Sequence, residues 1–254
     1  MRRSCILLFG WFAAMSTVSP AAIDVDAMIQ EALAAEGRLD SRRALELLLE
    51  AEKLRPSDPL VLQRIARQYS DLIVDLATEA EKRKYAGRAL AYARRAVELD
   101  PKSAVNALSL AISHGKLGLY SDIRTKVASS RLVKEETERA LALDPQYAWA
   151  LHVLGRWHHE VSALSGVARL AVRLFHGGLP AASTAEAVRL LQRAVELEPG
   201  ELAHHLELGF ALQADGQIAN ARAAFARGLA MPSRAKHDES AKDRARAAME
   251  LLGD

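Results

Sequence analysis

Apolar and small residues recur along most of this chain at intervals of three and four, the spacing that places side chains on one face of an α-helix. In four places the recurrence takes one form. A small or apolar residue is followed four positions on by a second, three later by a third, and five later by proline. Ala44, Leu48, Ala51 and Pro56 make the first copy. Ala89, Ala93, Ala96 and Pro101 make the second, then Val133, Thr137, Ala140 and Pro145, then Ala187, Leu191, Ala194 and Pro199. Ala221, Phe225 and Gly228 begin a fifth. Segments with strand-like alternation are absent, so the chain is read as helical throughout. The pattern predicts one long helix over 60–80, capped by Ser57 or Asp58 with Pro59 at its start. It places Gly87 near the start of the next helix. Further helices are predicted over 104–117 and 122–143, with a break at 118–121. Another runs over 148–175 and is stopped by His176-Gly177-Gly178-Leu179-Pro180. Ser183 or Thr184 then caps a helix over 185–197. The first unit, over 25–54, turns at Gly37 and Asp40, and a terminal helix covers 235–252 after the break at Pro232.

The recurring phrase is that of the second helix, and following turn, of a tetratricopeptide repeat (TPR). The predicted fold is therefore all-α: a TPR-like right-handed superhelical solenoid with elongated repeat helices and a C-terminal capping helix. The standard repeat is about 34 residues, whereas proline-to-proline spacings here are 45, 44 and 54. The inner helices are thus expected to be longer than standard. Repeats are placed near 25–58, 59–103, 104–147, 148–201 and 202–234, within one helical domain over 24–254. A single repeat cannot bury its apolar face alone, so neighbours stack and leave an extended groove. Such a chain works by presenting a surface, and the expected function is a non-enzymatic protein-binding scaffold.

The first residues have another character. Arg2 and Arg3 precede an almost wholly apolar run over 5–15, and Ser19-Pro20-Ala21 supplies small residues beyond it. This is the layout of a secretory signal peptide over 1–21, with an uncleaved membrane anchor as the alternative. Cys5 is the single cysteine, so a processed chain would contain none and disulfides would contribute nothing. The formal charge of +2 belongs to Arg2 and Arg3, leaving the remainder neutral. That excludes the broad positive footprint of a general nucleic-acid binder. The expected location is periplasmic or secreted, membrane-proximal but soluble after cleavage.

The first helix of each TPR pair lines the concave face. In that frame the candidate binding residues are Gln63, Arg67, Trp149, His152, Arg156, His159, Phe210 and Gln213. Asp71, Leu108, Ile112 and Glu160 share the face. Arg67 and Arg156 offer bidentate anchors for an acidic group, or pair locally with Asp71 and Glu160. The Lys/Asn set with which some TPR domains grip a peptide carboxylate is missing. Trp149 and Trp157 are expected to pack between helices. The histidines lack the H-E-x-x-H spacing of a zinc site; His152 or His205 could still meet His159. With no G-x-S-x-G elbow, no phosphate loop and no cysteine outside the leader, no catalytic constellation, metal or cofactor is expected. The alternative function is a carrier of phospholipid or another amphiphile. It would use a cavity lined by Leu164, Val167, Leu170, Ala171 and Leu174 of the long helix.

One stretch carries more than the generic repeat. Residues 147–158 read Tyr-Ala-Trp-Ala-Leu-His-Val-Leu-Gly-Arg-Trp-His, followed by Leu174-Phe175-His-Gly-Gly-Leu-Pro180 and Ser183-Thr184-Ala-Glu-Ala187. Over about 145–215 this resembles the TPR-like domain of the regulator of microtubule dynamics family, whose GRW, LFxxxxP and STxEA elements fall in the same order. The resemblance implies structural roles for Gly155, Pro180 and Ala187. It also implies an association with microtubules or organelle contacts, and in one member with phospholipid. The leader and the lack of a long linker or coiled-coil segment depart from that pattern. They are read here as marking a bacterial-type exported relative.

Overall fold

The computed structural model describes residues 24–252. The expected leader over 1–21 lies outside the described residues. Twelve α-helices occupy the described chain: α1 (Val25–Gly37), α2 (Ser41–Leu54), α3 (Pro59–Asp71), α4 (Glu79–Leu99), α5 (Ala104–Leu119), α6 (Ile123–Leu143), α7 (Ala148–Ser162), α8 (Gly166–His176), α9 (Thr184–Leu197), α10 (Leu202–Ala214), α11 (Ile218–Ala230) and α12 (Asp238–Leu251). They pair as α1/α2, α3/α4, α5/α6, α7/α9 and α10/α11, and each pair stacks on the next in a TPR-like superhelix. α12 closes the end against α10 and α11, placing Ala245 and Ala248 over their apolar surface.

The repeated phrase marks where helices touch. Ala44, Leu48, Ala51, Ala89, Ala93, Ala96, Thr137, Ala140, Ala187, Leu191, Ala194, Ala221 and Phe225 are all fully buried. Small side chains at these positions let helix backbones approach, and the larger ones fill the space between pairs. Thr137 is tolerated there because its hydroxyl donates to the Val133 carbonyl at 2.6 Å. Helix starts follow local chemistry. Asp24, Asp40, Asp58, Ser103, Asp122, Ser165 and Ser183 each accept a hydrogen bond from an N–H of the first turn, as N-caps do.

Two expected long helices are broken. The stretch 60–80 is not one helix: α3 ends at Asp71, a 3-10 turn follows at Leu72–Asp75, and α4 restarts at Glu79. Thr78 forms a reciprocal capping box with Glu81, which stabilises a new start there. Gly87 is accordingly well inside α4. The expected helix over 148–175 also divides, because Ser165 caps a separate α8 and the chain turns at 163–165. The extra length of the inner units thus lies in α4 and α6, each 21 residues, and in the inserted α8. The terminal helix starts at Asp238 rather than 235. The Asp238 carboxylate accepts from the N–H groups of Arg234 and Ala235, both at 2.7 Å, and turns the chain just before the helix.

Candidate functional site

α3, α5, α7 and α10 present the concave face. At its C-terminal end lies Glu207, buried on α10. Arg244 of α12 donates to its carboxylate at 2.5 Å and Arg156 of α7 stands 3.8 Å away. Burial opposes ionisation most, but Arg156, His152 and Arg244 together hold the Glu207 carboxyl below the usual carboxylate range. Arg156 also donates to Glu160 at 2.7 Å. Arg244 lies over the Phe210 ring at 5.0 Å, and Phe210 meets Phe225 edge-on at 4.9 Å.

Behind this charge cluster, half-buried Trp149 and buried His152 and His204 form an aromatic triangle with centroid distances of 4.9–5.1 Å. The Nδ1 atoms of His152 and His204 are 3.0 Å apart, which requires one ring to donate and the other to accept. Burial pushes His152 down to about 4 and His204 down to about 3, so both are neutral at ordinary pH. The partner of His152 is therefore His204, not His159. His205 bonds the Pro199 carbonyl instead.

The other end of the groove is closed by the chain itself. Residues before α12 cross to α3 and its 3-10 turn. Lys236 pairs with Asp75 at 3.0 Å, and His237 Nε2 lies 3.5 Å from Asp71 and 3.4 Å from Lys116 Nζ. Lys116 of α5 is lowered by burial, with Asp71 opposing the shift. Arg67 sits beside this strap and faces Asp71 at 3.7 Å.

The expected site residues therefore fall into three groups. Trp149, His152, Arg156 and Phe210 are gathered around Glu207. Gln63 and Arg67 lie at the α3 end, the first buried and the second exposed. His159 and Gln213 are half-buried, and His159 Nδ1 is enclosed without a hydrogen-bond partner. Sequence reasoning missed Lys116, Glu207 and the strap residues Lys236 and His237. Glu207 carried a readable signal: an acid between Leu206 and Leu208 in a mostly apolar helix marks a buried charge that needs partners. Trp157 packs between helices as expected, its Nε1 donating to the Ser130 carbonyl at 2.8 Å.

Between α5, α6, α7 and α8 lies a cavity of about 500 Å³. Ile112, Val127, Val133, Val153, Trp157, Val161, Leu164, Val172 and Leu179 make its walls mostly apolar, and Lys116, Arg156 and Glu160 line it as well. Of the residues expected to line such a space, only Leu164 does so. Val167, Leu170 and Leu174 are exposed on α8, because the break at 163–165 turns them outward. Among the described residues no group of histidine, cysteine and acids is placed to hold a metal ion.

Comparison with known proteins fits this architecture. The family described as Regulator of microtubule dynamics protein 1-3 matches residues 28–253. Regulator of microtubule dynamics protein 1 of Mus musculus is 27% identical over 203 residues, 78% of this chain and 66% of that protein. Regulator of microtubule dynamics protein 3 of Rattus norvegicus is 31% identical over 180 residues, 70% of this chain and 38% of that protein. The corresponding protein 1 of Bos taurus is 30% identical over 152 residues, 59% of this chain and 48% of that protein. The chain thus spans about a third to two thirds of the length of these curated relatives. A crystal structure of a thermophilic TPR protein of Thermus thermophilus superposes with a TM-score of 0.68 at 17% identity, covering 90% of this chain and all of that one. The fold is that of a TPR-like superhelix of paired helices.

The same comparison corrects one expectation. The matching relatives are proteins of mouse, rat and cattle, whose cells have no periplasm, so the placement as a periplasmic or secreted bacterial-type protein does not stand. Among the described residues no helix is long and apolar enough to cross a membrane.

Proposed function

This chain belongs to the regulator of microtubule dynamics family, and from that premise we propose that it is a scaffold binding an extended protein segment in its concave groove. One observation carries the reading: the groove already seats a piece of chain. Lys236 and His237 lie across it on Asp75, Asp71 and Lys116. Side chains that hold a segment in cis offer the same contacts to a segment in trans. The strap rests on two half-buried contacts, Lys236 with Asp75 and His237 with Asp71, so a partner that makes the same contacts can replace it. Such a partner presents a basic side chain to Asp71 and Asp75, and acidic or apolar groups toward Arg67, Arg156, Phe210 and Gln213. Gln63, Trp149, His152 and His159 shape the groove from beneath.

The test uses the full chain carrying Lys236→Ala and His237→Ala, which frees the two aspartates. A fluorescent peptide with the sequence of residues 231–240 should bind it, and Asp71→Lys with Asp75→Lys should abolish that binding. A peptide that binds equally well after the Asp71→Lys and Asp75→Lys changes refutes the groove reading. Capture by mild crosslinking, with microtubules among the baits because the relatives are named for them, should weaken with Arg67→Glu and Arg156→Glu.

The cavity of about 500 Å³ favours a second reading. Its apolar walls, with Lys116 and Arg156 at its lining, suit an amphiphile with an anionic head group. Native mass spectrometry of gently purified protein should then show bound phospholipid. Protein that is free of any amphiphile and takes up none from mixed micelles leaves the scaffold reading alone.

A further inference from the structure

α8 has no counterpart in a standard TPR pair. It is inserted between α7 and α9, leans chiefly on α6, and turns most of its apolar side chains to solvent. Val167, Leu170, Leu174 and Phe175 are 81, 56, 66 and 77% exposed. At 100° per residue these four and Ala171 fall within an arc of about 140°. Val172 points the other way, into the cavity wall. An arc this wide and this exposed is unusual on a soluble surface and marks a site of contact.

The helix is nonetheless held in place. Ser165 caps its start, its Oγ accepting from the Ala168 N–H. At its end Arg131 of α6 donates to the carbonyls of His176 and Gly178, the latter through Nε at 2.9 Å. That guanidinium satisfies carbonyls left open by the helix terminus and sits at the negative end of its dipole. Gly177 and Gly178, at φ of 75° and 80°, make the turn that brings the two carbonyls together. The apolar arc is therefore presented at a set angle.

Charge identifies the occupant. Arg173 lies about 60° beyond one edge of the arc, while Arg169 and His176 stand on the opposite face, where the Arg169 guanidinium donates to the Ser162 carbonyl. From Glu160 to Glu186 the sequence contains no acidic residue, in a chain otherwise balanced in charge. An apolar arc edged by arginine is the layout of a helix lying in a bilayer interface, with arginines at the level of anionic head groups. A second copy of the chain fits less well, because a standard interface uses about 20–30 residues a side and this arc offers five.

We propose that α8 docks this domain on an anionic phospholipid surface, with Val167, Leu170, Ala171, Leu174 and Phe175 inserted and Arg173 on the head groups. The inference stands independently of the groove reading.

The test is hydrogen–deuterium exchange of the full chain with phosphatidylcholine vesicles, with and without phosphatidylserine. Peptides covering 166–176 should gain protection with the phosphatidylserine vesicles, while α2 and α11 do not change. Leu170→Glu with Leu174→Glu should remove that protection. Arg173→Gln should weaken binding roughly fivefold, whereas Arg169→Gln, on the opposite face, should leave it unchanged. All four positions are exposed, and circular dichroism of each variant checks that the fold persists. Reading α8 itself separates this docking from any contact made by residues 1–23. Exchange in α8 that is unchanged by vesicles overturns the proposal. So does protection that rises with protein concentration in the absence of lipid, which would assign the arc to a second copy.

Discussion

Gly87 and Gly155 both sit inside helices, yet the same substitution should move stability in opposite directions. At Gly87, in α4, an added Cβ would meet nothing within 4 Å. Alanine there removes a flexible residue from a helix interior and should stabilise the chain by about 0.8–1.0 kcal/mol. At Gly155, in α7, the same Cβ would stand 2.7 Å from Leu191 Cγ, 3.2 Å from the Ala187 carbonyl oxygen and 3.3 Å from Leu190 Cβ. Leu191 is fully buried and Leu190 nearly so, and the carbonyl is backbone, so relief requires α7 and α9 to move apart. Overpacking of this kind costs about 1–3 kcal/mol. The gain in helix propensity offsets part of it, leaving Gly155→Ala destabilised by about 1 kcal/mol and the two variants about 2 kcal/mol apart. Urea unfolding followed by circular dichroism measures both, with the m-value checking that the transition is unchanged. Repeat units can open separately, so amide exchange in α7 and α9 should localise the loss. If Gly155→Ala proves as stable as the parent chain, close helix approach is not why glycine stands there.

Acid should unfold the chain through His114, His152 and His204. Burial lowers them to about 4, 4 and 3 from the ordinary 6.5, so the unfolded state takes up protons first as pH falls. Stability is full above about pH 6.5 and is lost toward the folded values, at about 1.4 kcal/mol per pH unit for each histidine. Denaturation midpoints that hold constant from pH 7 to pH 5 would contradict this. Thr78→Ala removes the side chain that starts α4 and should cost about 1 kcal/mol in the same urea assay; no loss would mean that Glu81 caps alone. Asp71→Asn with Asp75→Asn should speed amide exchange over residues 232–237 several-fold, since both carboxylates hold the strap. Unaltered exchange would show that the strap is held only by the contacts of Asp238 and Lys242.

The helices and the face that each buries were legible in the sequence, because both depend on neighbours within a turn or two. Ala89, Ala93 and Ala96 announce an interface by their spacing, and Asp58, Ser103 and Ser183 announce helix starts by the reach of one short side chain. The resemblance over about 145–215 pointed correctly to the family. Part of the candidate site was readable too: Trp149, His152 and Arg156 were placed on the inner face by the repeat frame. What they meet there was not. His152 finds His204 52 positions away, and Lys116 finds His237 across 121. Nothing within a helical turn specifies either meeting. The two glycines show the same divide, since Gly87 and Gly155 are alike to local rules and only the packing of α9 on α7 separates them. The breaks before Glu79 and Gly166 were missed because helical periodicity continues through both, while the capping box and Ser165 are short signals set inside it. Stacking then determined the rest. It left a void between α5, α6, α7 and α8, turned the apolar arc of α8 outward, and brought residues 236–237 across the groove. Each depends on where whole helices lie relative to one another, a quantity fixed by the sum of many distant contacts and carried by no single stretch of sequence.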